Sequence, residues 1–262
     1  MRQIVFLHVV PLRADRVPHA DIEKIEHAQE RLAPALKQVP TGTEVKIEVQ
    51  CGREIDTILK TAKTYQSDLI LIGAPNRSFL TETLFGSTAI ELAQRATIPL
   101  MTVRPQMMGA YTSEELNLRC QHLLRYILIP YDNSEAAQYV VQQIEQFAKT
   151  QPDGELRGVE LCWVVEEGGR FERSPQEVQQ FVTQNIESVQ QRLQATNLAI
   201  EITVRRGNPV VQVLEAAVDG DTSAIALSSK LSRSIASAPS FAGELLRRSW
   251  HPVLFFPPAK SN

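Results

Sequence analysis

The chain has 262 residues, enough for one large domain or two ordinary ones. Hydrophobic residues make up 43 % and charged residues 22 %, the balance of a globular protein with a buried core. A net charge of −3 gives no global pull toward nucleic acid or an anionic membrane, and Cys51, Cys120 and Cys162 form neither a paired framework nor a metal-ligand spacing.

In chain order, an apolar strand is expected over 3–10, followed by a helix over 20–38. Ile22, Ile25, Leu32 and Leu36 share one stripe of that helix, which should face a core. Strand 44–51, helix 53–65, strand 68–73, helix 86–96 and strand 99–104 come next. Pro99 stops the last of these helices. Residues 105–124 are polar and read as a linker with a short helix near 113–122. Beyond it come a strand starting at Tyr126, helix 134–149, strand 158–165 and helix 174–195. Strand 199–205, helix 208–218, strand 223–228 and strand 252–256 complete the chain. Strands alternating with helices imply a parallel sheet covered on both faces. His8 lies inside an apolar strand and reads as a core histidine.

The chain repeats itself. Ile4–Val10 matches Val159–Val165, Val45–Gly52 matches Ile200–Gly207, and Ile70–Gly73 falls on Ile225–Ser228, each 155 positions apart (159 minus 4). Pro99 falls on Pro252, an offset of 153 (252 minus 99), so two residues are lost in the second copy's loop. With Ile58-Leu59 also matching Val213-Leu214, a constant offset across strands and a helix marks a duplicated domain, and the period is far too long for a solenoid. The counterpart of Ile127–Ser134 and its helix would lie before Met1 (127 minus 155), so the first copy reads as incomplete.

The most informative stretch is Asp68–Arg104. An apolar strand ends at Gly73, and Gly86-Ser87-Thr88 opens a helix, so backbone N–H groups can converge on an anion. The same pattern also suits a strand–helix turn whose glycines serve geometry alone. The spacing Gly73-x2-Asn76-x9-Gly86-Ser87 resembles the nucleotide loop of the universal stress protein family, Gly-x2-Gly-x9-Gly-Ser/Thr. Asn76 stands where the second glycine is usual, and asparagine tolerates left-handed backbone angles better than most residues. Ile127–Ser134 resembles the first strand of such a domain, where an aspartate, here Asp132, lies near the nucleotide; Asp132 also suits a helix cap. The second copy's loop departs from the motif, with Ser228 and Leu231 at the glycine positions and Pro239-Ser240 in place of Gly-Ser.

The resemblance covers Ile4 to Pro257 and implies an α/β fold of two tandem doubly wound parallel-sheet domains with strand order 3-2-1-4-5. Their expected bounds are 1–104 and 125–258, with 105–124 as linker. The first copy lacks the middle strand, so its sheet closes up as 3-2-4-5, or another chain or segment fills the gap, or the chain is a fragment of a longer protein. The domains should be related by an approximate twofold axis and pair through Leu100–Val103 and Val253–Phe256. The implied cofactor is ATP, with Mg as its companion ion. Its phosphates would sit near Gly73, Asn76, Arg77, Gly86, Ser87 and Thr88, and its adenine near Val10 and Ile72. Glu82 and Glu91 could hold a metal near the phosphates, but isolated surface carboxylates are common. No metal spacing links the histidines and no catalytic constellation supports an enzyme; at most weak ATP hydrolysis is expected.

The resemblance implies a cytoplasmic, stress-associated regulatory protein that binds an adenine nucleotide in its first domain, with an unidentified protein partner. The pair of copies forms an intramolecular pseudo-dimer, and a homodimer is a further possibility. The alternative is a nucleotide-free interaction module, either a scaffold or the soluble tail of a membrane transporter. The apolar runs are too short for a membrane span, and MRQIVFLHVVPL lacks a signal-peptide cleavage site. The thiols read as buried or idle in a reducing compartment.

Overall fold

The computed structural model describes residues 2–11, 19–37, 42–73, 85–104, 112–151, 155–166, 175–229, 231 and 240–258. The chain divides into two compact units, Met1–Asp68 and Leu69–Asn262. Compactness therefore cuts through the first repeat, not through the linker 105–124.

The smaller unit holds β1 (Arg2–Pro11), α1 (His19–Leu32) with a 3-10 turn over Ala33–Lys37, β2 (Thr43–Gly52) and α2 (Glu54–Thr64). β1 and β2 run parallel, in register from Arg2↔Thr43 to Pro11↔Gly52, and form a two-stranded sheet of their own. The sheet does not close up as 3-2-4-5. So small a sheet offers little surface for its helices to bury. Ala28 is buried in α1, but Ile22 and Leu36 are each 51 % exposed, so the expected α1 stripe is only partly covered. His8 is exposed as well, which corrects the core assignment. It lies two residues before Val10 on the same face of β1, where Val10 is buried while Ile4 and His8 are exposed.

The larger unit is built on one seven-stranded sheet. Its strands are β3 (Ile70–Gly73), β4 (Leu100–Val103), β5 (Tyr126–Pro130), β6 (Gly158–Val165), β7 (Ala199–Arg206), β8 (Ala224–Ser228) and β9 (Val253–Phe256). Their spatial order is β3-β4-β9-β8-β5-β6-β7. Reading the second copy alone from its far edge gives β7-β6-β5-β8-β9, the expected 3-2-1-4-5 order. The helices are α3 (Phe85–Arg95), α4 (Ser113–Gln121), α5 (Glu135–Thr150), α6 (Pro175–Gln194), α7 (Pro209–Asp219) and α8 (Phe241–Arg248). α6 shows why its sequence is helical: Val178, Val182, Ile186, Val189 and Leu193 recur every three or four residues and all are buried. α8 escapes a reading by periodicity because it spans only 8 residues. Its start is nonetheless signalled by Ser240, whose hydroxyl accepts the Gly243 N–H at 3.1 Å as N-cap.

The copies meet where expected. β4 and β9 pair antiparallel, Leu100 with Phe255, Met101 with Leu254 and Thr102 with Val253. Applying the 153-position offset exchanges the two outer pairs and returns Met101–Leu254 to itself, so that pair marks a local pseudo-twofold axis. Two apolar strand edges have satisfied each other's backbone groups. The result is one continuous sheet where two separate sheets were expected. α3 and α8 pack beside this seam at close range. A Cβ on Gly243 would stand 4.0 Å from Ile90 Cδ1 and 3.1 Å from Ser240 Oγ. The Arg104 guanidinium donates to the carbonyls of Leu246 and Arg247, placing a cation at the C-terminal end of α8.

Candidate functional site

In a doubly wound sheet, ligands approach the carboxyl ends of the strands, where loops and helix N-termini gather. Gly73 is the last residue of β3, and β3 and β4 are parallel with α3 between them in sequence. The crossover returns α3 so that its N-terminus lies at the same end of the sheet as Gly73. Gly86, Ser87 and Thr88 all fall in the first turn of α3, with Ser87 exposed and Thr88 half-buried. That turn carries no acidic residue, so no carboxylate within the turn itself offsets the positive end of the helix.

Gly73 is exposed, and a Cβ built on it would meet nothing within 4 Å. Packing among the described residues does not demand a glycine there. Its open face suits close approach of a ligand to backbone. Ile72 beside it is half-buried and pairs with Thr102. The sequence motif thus brings Ile72, Gly73, Gly86, Ser87 and Thr88 into one unit. Val10, 3 % exposed near the end of β1, belongs to the smaller unit. Asn76, Arg77 and Glu82 lie outside the described residues. Glu91 pairs with Arg95 at 3.0 Å across one helical turn. Among the described residues no cluster of three or more His, Cys, Asp or Glu could hold a metal ion, and no helix is long and apolar enough to cross a membrane.

The corresponding place in the second copy lies between β5 and β8, where the strand order reverses. Several of its described polar groups are engaged, though Ser228 Oγ at the end of β8 is buried without a hydrogen-bond partner among the described residues. Asp132 accepts the Ser134 N–H at 3.0 Å, and Ser134 caps α5 by accepting the Ala137 N–H at 3.2 Å. Asp132 therefore acts through the cap without being the cap. Leu231 is half-buried, and Ser240 is engaged at the start of α8.

Asn133 is the residue here that sequence reading missed. Its φ is +61°, and its side-chain oxygen accepts from Tyr131 Oη at 3.0 Å and Gln138 Nε2 at 2.9 Å. Its amide nitrogen donates to Asn185 Oδ1 at 2.9 Å, and Asn185 in turn donates to the Phe181 carbonyl at 2.7 Å. The signal was the Asp-Asn-Ser run, which favours a tight turn. Tyr131 is 2 % exposed, and burial pushes its phenol above the usual range.

Cys162 is buried on β6, and desolvation pushes its thiol up to about 12, with the Glu160 carboxylate adding to the effect. Cys51 and Cys120 are exposed. A thiol reagent at neutral pH should therefore titrate Cys51 and Cys120 on the folded protein and Cys162 only after denaturant is added. A third thiol reacting as fast as the other two would contradict this burial.

Residues 2–104 and 124–257 match the family model Usp, described as the universal stress protein family. Universal stress protein G of Salmonella typhimurium (strain LT2) is 29 % identical over 110 aligned positions, in a match that covers 38 % of this chain and 77 % of that protein. Among solved structures, a universal stress protein from Archaeoglobus fulgidus superposes with a TM-score of 0.73 at 17 % identity, covering 100 % of this chain and 88 % of that one. A protein of unknown function from Pseudomonas aeruginosa PAO1 gives 0.60 at 11 % identity, covering 98 % and 92 %. At such identities the structural likeness shows the fold.

Proposed function

We propose that this chain, which belongs to the universal stress protein family, binds an adenine nucleotide, ATP, through its first copy and acts as a regulatory protein in the cytoplasm. One observation carries the reading: the open face of Gly73 and the carboxylate-free first turn of α3 lie at the same end of the sheet. In this reading the functional domains are residues 1–104 and 125–258. The backbone N–H groups of Ser87 and Thr88, with the Ser87 hydroxyl, would hold the phosphates, and Asn76 and Arg77 belong to the intervening loop. Ile72 would lie beside the base. The helix dipole would contribute about 0.3–1 kcal/mol and each charge-assisted hydrogen bond roughly 1.5–3 kcal/mol. ATP supplies a compact polyanion, which Mg would partly neutralise. The protein's part is to bind it and report it, with no residue assigned to hydrolysis. The second copy stays empty because Leu231 and the engaged Ser240 leave no comparable cradle.

The test is calorimetry with ATP on the wild type and on Gly86→Leu, with circular dichroism confirming that both fold. Heat of binding in the wild type that vanishes in the variant is the expected result. Equal affinity in both proteins would overturn the site. No heat in either would favour the second reading, a nucleotide-free interaction module such as a scaffold or a transporter's regulatory tail. A specific observation supports that second reading: Leu71 on β3 is 60 % exposed, and Leu69 just before it 43 %.

A further inference from the structure

The internal repeat allows β3 to be compared with its own counterpart. Ile70-Leu71-Ile72-Gly73 corresponds to Ile225-Ala226-Leu227-Ser228 of β8. On one side the two strands are alike. The Ile70 N–H donates to the Pro99 carbonyl at 2.9 Å, and the Ile225 N–H donates to the Pro252 carbonyl at 2.9 Å. On the other side they differ. β8 is flanked by β5, with Ile127 opposite Ala224 and Leu128 opposite Ile225, whereas β3 pairs with β4 alone among the described residues.

Side-chain burial follows the same division. Ala224 and Ala226 are both 0 % exposed and share a buried cluster with Val140, Val141 and Ile144 of α5. Their counterparts Leu69 and Leu71 are 43 % and 60 % exposed. So β3 shows two unfilled positions at once. Its outer backbone edge matches the edge that β5 covers on β8, and its Leu69–Leu71 face matches the footprint of α5. Because Ile70 directs its N–H to β4, the Leu71 backbone groups point to the open edge.

We propose that β3 is an acceptor for a strand–helix unit of another polypeptide. The unit adds an apolar strand parallel to β3 and lays an amphipathic helix over Leu69 and Leu71. The repeat itself specifies its chemistry. The strand should carry three consecutive buried aliphatic residues, as Ile127, Leu128 and Ile129 do in β5. The helix should present small and β-branched residues, as Ala137, Val140, Val141 and Ile144 do in α5. Main-chain pairing would give affinity, and the leucine face would give selectivity for a helix-bearing strand over a bare one. This proposal does not depend on nucleotide binding.

The probe is a synthetic peptide of this chain's own residues 125–151, labelled and titrated into the full-length protein by fluorescence anisotropy. Wild type and Val218→Lys should bind it alike, since Val218 is 70 % exposed on α7, away from β3 in the sheet order. Leu71→Lys should bind about tenfold or more weakly, a loss of about 1.4 kcal/mol. Because Leu71 is exposed, that variant should fold normally, which circular dichroism checks. Hydrogen exchange should slow at the Leu71 amide when peptide is bound. No binding, or binding that Leu71→Lys leaves unchanged, would overturn the proposal. So would a peptide-independent dimer that Leu71→Lys dissolves, because the occupant would then be a second copy.

Discussion

Phe255→Ala should lower the stability of the larger unit by about 3–5 kcal/mol, the usual cost of removing a fully buried phenyl group. Phe255 is 0 % exposed and stands at the seam between the copies, opposite Leu100 on β4 and Leu227 on β8. Leu100 is 0 % exposed and Leu227 3 %, so neither neighbour is at the surface, where a rearranging side chain could refill the space. A loss of this size is a large share of the roughly 5–15 kcal/mol that holds a typical domain together. Denaturant unfolding followed by tryptophan fluorescence measures it. Both tryptophans, Trp163 and Trp250, lie in the larger unit, so the signal reports that unit alone. The midpoint should fall while the slope stays constant. Val218→Ala, at a 70 % exposed position, should stay within about 0.5 kcal/mol. A cost below about 1 kcal/mol for Phe255→Ala would mean that the seam lies outside the cooperative core.

The second large effect is expected at Asn133. Alanine there must adopt a φ near +61°, at a cost of roughly 1–2 kcal/mol that asparagine largely escapes. It also deletes the acceptor for Tyr131 and the donor to Asn185. Stranding a buried hydroxyl costs a further ~1–3 kcal/mol, so Asn133→Ala should lose about 2–5 kcal/mol in all. Asn133→Gly separates the two causes, since it relieves the backbone but makes none of the bonds. It should retain about 1 kcal/mol more than the alanine variant. Equal losses in the two variants would show that the backbone conformation carries no cost, and a loss below 1 kcal/mol in both would show that the network is idle.

The candidate site was legible in part. Gly73 and Gly86-Ser87-Thr88 could be found from spacing because a strand end and the following helix start are close in sequence. Local geometry then brings them to one end of the sheet. Asn133 could not be found the same way. Its partner Asn185 lies 52 positions away on α6, and nothing in either neighbourhood announces the bond. The exposures of His8, Ile22 and Leu36 were likewise beyond a periodic reading. Periodicity shows which residues share a face, but not whether enough sheet exists to cover that face. α6 and α1 carry similar stripes; the first lies against a seven-stranded sheet and the second belongs to a unit with a two-stranded one.

The family resemblance implied the 3-2-1-4-5 order of the second copy; by itself the sequence determined the order of strands and helices, the duplication and the pairing of the two last strands. These rest on information that the chain writes locally or repeats: apolar period, turn residues and a constant offset. The tertiary structure decided where the chain divides. The four residues of β3 and four of β4 join the second copy's sheet through the β4–β9 seam, while β1 and β2 form a sheet of their own. No local pattern could announce that division. A strand's own residues fix which way its side chains point. Which neighbour covers its edge depends on the strands available elsewhere in the fold.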